Sequence, residues 1–144
     1  MKKLLIFLAI VIIIITISII KYSSYKVEYN ALMKENTEFE QYKDKVVNGL
    51  SVATIVNRAI DKNTKNEIEK DDKGFFIQNE TNSISIELYM ADNETTYKME
   101  QIYNAGIEQF VQYYSNINFK CSKIEYHKNT GKIKYILFEQ IQAS

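Results

Sequence analysis

The chain is 144 residues long, a quarter of it charged, with 18 basic and 18 acidic side chains and no formal net charge. That balance excludes the electropositive face a nucleic-acid partner requires, and it gives no field for drawing in generally acidic substrates. One Cys, one His and four scattered Gly exclude an internal disulfide, a zinc cage and a glycine-rich phosphate loop.

All basic residues but Arg58 are Lys, and Ile, Asn, Lys and Tyr are abundant. This reads as the bias of an AT-rich genome, with a tyrosine-rich contact surface as the alternative reading.

The first element dominates the rest. From Leu4 to Ile20 the sequence LLIFLAIVIIIITISII carries no charge. As a helix it spans about 25 Å, against about 30 Å for a bilayer core. Tyr22 and Tyr25 then fall at headgroup level, and Lys2, Lys3 and Lys21 can reach water. A cleaved signal peptide is the rival. The run is longer than the usual apolar region of a signal, and a cut after Ser24 would put Tyr22 where a small residue is preferred. No cysteine follows directly, which excludes a lipoprotein signal. The expectation is an uncleaved anchor in contact with the lipid bilayer. The short two-lysine tail predicts a cytoplasmic N-terminus and an external C-terminal domain.

Residues 22–48 predict a helical stalk with Tyr25, Tyr29, Leu32, Phe39, Val46 and Leu50 on one stripe and Asn36 and Lys43 as polar interruptions. Asn48-Gly49 predicts a turn, and Ser51 the N-cap of a second helix ending near Lys62. That helix buries Val52, Ile55, Val56, Ala59 and Ile60. Residues 61–74 read as a charged loop.

Strands follow. Phe75, Phe76 and Ile77 form a short apolar run, and residues 79–82 a turn. Residues 83–90 alternate strictly, with Ile84, Ile86, Leu88 and Met90 on the buried face. Residues 95–99 predict a short strand. A helix is expected over residues 99–114, with Gly106 allowing close approach to the sheet. The chain closes with a hairpin of residues 119–127 and 132–140. Its expected register pairs Glu125 with Lys134 and Lys120 with Glu139, and stacks Ile124 and Tyr126 with Ile133 and Tyr135. The expected core is Ile84, Ile86, Leu88, Phe110, Ile124, Tyr135 and Leu137.

The chain is thus expected to be α+β: residues 1–21 a transmembrane anchor, 22–48 a helical stalk or linker, and 49–144 an extracytoplasmic domain. In that domain a small antiparallel sheet packs against one or two helices.

No catalytic, cofactor-binding or metal-binding residues are assigned. Cys121 and His127 lie roughly 20 Å apart along one strand, too far for a nucleophile and its base. Beside the hairpin turn His127 is expected on the surface, and Cys121 in an apolar setting is expected to be buried. Asp61, Asn63 and Asp72 suggest a calcium loop, but Lys65 and Asn66 stand where it needs an oxygen ligand and a glycine, so the loop reads as solvated. Asn79-Glu80-Thr81 and Asn93-Glu94-Thr95 match the glycosylation triplet and read as turns.

Two stretches, FEQYKDKVVNGLSVATIVNRAIDKN and CSKIEYHKNTGKIKYILFEQI, resemble the uncharacterised small single-pass membrane-anchored surface proteins of low-GC Gram-positive bacteria. The order of elements also resembles the type IV pilin architecture, an apolar N-terminal helix running into a helix packed on an antiparallel sheet. Pilins carry Gly or Ala before the apolar helix and Glu at its fifth position; here Lys3 precedes Leu4, and residues 1–20 hold no acid. The anchor, the single His and Cys, and the lack of a convergent acid, base or metal set in the sequence lead to the expectation of an extracytoplasmic interaction module, not an enzyme, whose partner is an envelope or surface protein. A pilin-like filament subunit is the alternative.

Overall fold

Helix α1 (Lys2–Glu40) carries the apolar run and continues well past it. The computed structural model describes residues 1–142 and divides into two units, residues 1–35 and residues 36 onward. The final residues of the expected domain, 143–144, lie outside the described residues.

In the first unit every side chain from residue 1 to 31 is exposed. The run is rich in β-branched Ile, a middling helix former in water, but in hydrocarbon only a helix satisfies each backbone N–H and C=O. Its two polar side chains turn back on the helix: Thr16 Oγ1 donates to the Ile12 carbonyl and Ser18 Oγ to that of Ile14, both at 2.8 Å. Among the described residues α1 is the one helix long and apolar enough to cross a membrane.

The second unit begins with the last turn of α1, where Asn36 and Phe39 are buried. The predicted stalk helix therefore stops at Glu40 instead of Asn48. Asp44 adopts a positive φ of 57°, and the chain enters a strand absent from the sequence reading, β1 (Val46–Asn48). Val46 and Leu50 are exposed, so the stripe reaches the core only at Phe39.

Helix α2 (Gly49–Lys65) starts two residues before the expected Ser51 and ends three after Lys62. Asn48 is the cap, its side chain accepting from the Ser51 N–H at 2.9 Å. Ser51 thus occupies the third helical position, where it supplies the donor and not the cap. The expected face, Val52, Ile55, Val56, Ala59 and Ile60, is buried as predicted.

Strands β2 (Ser85–Met90) and β3 (Thr95–Lys98) form a hairpin. The predicted helix over residues 99–114 is two: α3 (Met99–Ala105) and α4 (Ile107–Tyr114). Gly106 separates them with φ 105°. That backbone angle is open to glycine and strained for any other residue, so Gly106 breaks the helix instead of easing its contact with the sheet.

Strands β4 (Asn118–Tyr126) and β5 (Ile133–Gln140) complete a five-stranded sheet in the order β1-β4-β5-β2-β3. It is antiparallel except for the β2–β5 pair, which is parallel. One face packs on α2, α3 and α4.

The hairpin register agrees with expectation at Lys120↔Glu139 and departs from it in the middle. Ser122 is an extra residue in β4, and Lys134 an extra residue in β5. Between these irregularities Glu125 faces Tyr135 instead of Lys134, and Ile124 faces Ile136. The shift keeps Phe119 and Cys121 on the core side and spares Lys123 from burial. It also corrects the core: Ile136 and Phe138 are buried, whereas Tyr135 and Leu137 are half-buried on the opposite face. Ile84, Ile86, Leu88 and Phe110 are buried as predicted, and Ile124 packs partly against them.

Two buried asparagines stitch strand ends. Asn63 Nδ2 donates to the Ile84 carbonyl at 2.7 Å, and its Oδ1 accepts the Ile84 N–H at 2.8 Å. Asn36 does the same for the turn before β5, donating to Gly131 O at 2.8 Å and accepting from Ile133 N at 3.1 Å. Each side chain substitutes for a missing strand neighbour. Asn63 is therefore a residue of α2, not of a loop, and both ends of its amide are engaged by Ile84, just before β2.

Candidate functional site

The residues that could carry chemistry are dispersed over the fold. Cys121 is 1 % exposed, opposite Phe138 in the sheet. Burial, and next the nearby Asp44 charge, push its thiol up to about 11, so it is protonated and inert near neutral pH.

His127 contradicts the surface expectation: it is 2 % exposed. The turn at residues 79–83 folds against it, and its Nε2 lies 2.7 Å from the Ser83 carbonyl. A carbonyl only accepts, so Nε2 carries a proton, while Nδ1 is buried with no hydrogen-bond partner among the described residues. Asn79 organises that turn by accepting from the Thr81, Asn82 and Ser83 amides. Thr130 Oγ1 closes it by donating to the Thr81 carbonyl at 2.6 Å. The histidine is thus a fastener between two turns. The register signal that placed it beside a hairpin turn could not reveal a turn arriving from elsewhere in the chain.

Glu100 is also buried. One carboxyl oxygen accepts the Phe76 N–H at 3.2 Å, and the other has no partner among the described residues. On the outer face of the sheet Tyr135 donates to Glu87 at 2.8 Å, and at the end of β4 Tyr126 donates to Glu40 of α1 at 2.8 Å. Burial first, then the bonded carboxylate, raises both phenols above their ordinary range, Tyr126 to about 12. The Lys123 ammonium bonded to Glu125 holds that carboxyl below its usual range. Among the described residues no group of three His, Cys, Asp or Glu is placed to share a metal ion.

What the fold does build is a groove of about 360 Å³ where α3 breaks into α4. Met90, Ile102 and Phe110 form its floor, and Tyr97, Gln101, Gln109, Tyr113 and Tyr114 its sides. The Phe110 ring stacks on Tyr114 with centroids 5.0 Å apart and leans on Phe119 at 6.3 Å, which fixes that wall. Tyr113 is 64 % exposed. The Tyr97 hydroxyl accepts from Asn93, and Gln101 Oε1 accepts the Lys98 N–H at 2.8 Å. Reading residues 99–114 as one helix hid this groove. The available signal was Gly106, a helix-ending residue in the middle of an apolar period. A second, polar hollow near Asn116 and Asn118 is bordered by Asp92 and Gln140, which already bond each other at 2.7 Å.

The chain matches no protein-family model, no curated protein and no solved structure.

Proposed function

We propose that this chain is a single-pass membrane-anchored interaction module, with the N-terminus cytoplasmic and the α+β unit outside, and that its partner is an envelope or surface protein. The observation that carries this is the run of residues 4–20, exposed along its whole length with both hydroxyls bonded back to its own helix. An apolar surface of that extent calls for hydrocarbon around it. The non-enzymatic reading rests on two residues: His127 is bonded to the Ser83 carbonyl, and Cys121 is buried and protonated.

A second reading, a pilin-like filament subunit, is favoured by one feature: α1 continues unbroken from the apolar run to Glu40.

Mass spectrometry of the membrane-extracted protein is expected to return the uncut N-terminus, and a mature chain starting near Tyr25 would overturn the anchor. Protease added to intact cells is expected to digest the α+β unit and spare the N-terminus; the reverse pattern would overturn the orientation. Cross-linking in the native membrane is expected to give one heterologous product. A ladder of the chain with itself would establish the filament instead.

A further inference from the structure

The α3–α4 groove adjoins a free edge of the sheet. Strand β3 is the last strand in the order, with β2 on one side and no strand on the other among the described residues. Side chains hold the extended backbone at both ends: the Thr95 N–H donates to Asn93 Oδ1 at 3.1 Å, and the Lys98 N–H to Gln101 Oε1 at 2.8 Å. Thr95 and Thr96 are exposed. Tyr97 pairs with buried Leu88, so its side chain lies on the face that carries the helices, where it forms one wall of the groove.

A strand laid along β3 would lie about 4.8 Å further out, with alternate side chains directed to that same face. Those side chains would enter the groove. The groove is lined by no Asp, Glu, Lys or Arg, although a quarter of the chain is charged. Its apolar floor and amide and phenol sides match an uncharged occupant and would leave an ionic one without a counter-charge. Main-chain pairing would supply affinity and the groove selectivity, as in other strand-addition complexes.

We infer that β3 and the α3–α4 groove together form a docking site for an extended, uncharged segment of a partner polypeptide that inserts an apolar or aromatic side chain beside Tyr97. This deepens the reading of the chain as an interaction module and rests on it. The backbone edge favours polypeptide over a neutral sugar, because only a polypeptide completes the ladder.

The test uses the full chain in detergent micelles and an end-capped Thr-Phe-Thr-Leu-Thr peptide at millimolar concentration. Hydrogen exchange at Thr96, the β3 amide that alternates with Lys98 and so turns away from β2, is expected to slow at least several-fold, with shifted amide resonances at Gly106 and Tyr113. The same peptide N-methylated on alternate residues keeps its side chains and cannot pair; it is expected to give neither effect. Ala105 is exposed at the groove wall, so Ala105→Arg is expected to abolish protection while leaving the melting temperature in place. No protection by the first peptide overturns the inference, as does equal binding of the methylated one. Resonance shifts with maltotriose and none with peptide would make the groove a carbohydrate site and also overturn it. The anchor is tested separately at the N-terminus, so a cleaved leader with intact peptide binding, or the reverse, shows which proposal fails.

Discussion

Cys121, Tyr126 and Tyr135 show how a side chain of ordinary chemistry is altered by where the sheet places it. Each holds its proton more tightly in the fold than in the open chain, mainly through burial. The sign of the linkage follows. Between the unfolded and folded pKa values the native state binds more protons than the unfolded one, so stability falls as pH rises. For Cys121 that window runs from 9.0 to about 11, and for Tyr126 from 10.0 to about 12. Stability is expected to be level up to about pH 9 and to decline above it, with Cys121 alone contributing on the order of 2 kcal/mol. Denaturant midpoints measured from pH 7 to 11 check this, and Cys121→Ala should flatten the early part of the decline. Iodoacetamide at pH 7.5 should label Cys121 only after denaturation; rapid labelling of the folded chain would contradict its burial.

Among the elements, the closing hairpin separates what periodicity conveys from what packing decides. The run Tyr135-Ile136-Leu137-Phe138 is apolar at every position, so alternation cannot choose its inner face. The irregularities at Ser122 and Lys134 choose it, turning Ile136 and Phe138 inward. Phe138 is fully buried, so Phe138→Ala is expected to cost about 3–5 kcal/mol. Leu137→Ala, on the half-buried outer face, is expected to cost about 1 kcal/mol. Equal losses in chemical denaturation would restore the register that places Tyr135 and Leu137 in the core. The regular alternation over residues 83–90 and the α2 face from Val52 to Ile60 were legible because one side is polar throughout. The break at Gly106 and the burial of His127 were not. The first depends on a backbone angle, and the second on a turn some 44 residues distant in sequence.

At the scale of the whole molecule the two units draw their stability from different sources, and heating should separate them. The α+β unit owes its order to a buried core running from Phe39 to Phe138 and to polar stitches such as Asn63 to Ile84. It should unfold as one cooperative transition. Residues 4–20 are exposed and uncharged, so inside a bilayer or a micelle, where an unpaired backbone group is costly, their helix is expected to persist. Heat that melts the core leaves that environment intact. Helix α1 has 39 residues, more than α2, α3 and α4 together, which have 17, 7 and 8. In detergent, the near-ultraviolet signal of the tyrosines in the core unit is therefore expected to vanish in a single step. About three-quarters of the far-ultraviolet helical signal should go with it, the quarter that belongs to residues 4–20 persisting at temperatures well above that transition. The same residual helix should disappear when the detergent is replaced by a chaotrope that dissolves the micelle. Complete loss of helical signal in the first step, with micelles present, would mean that residues 4–20 are not held in hydrocarbon, and the anchor would have to be abandoned.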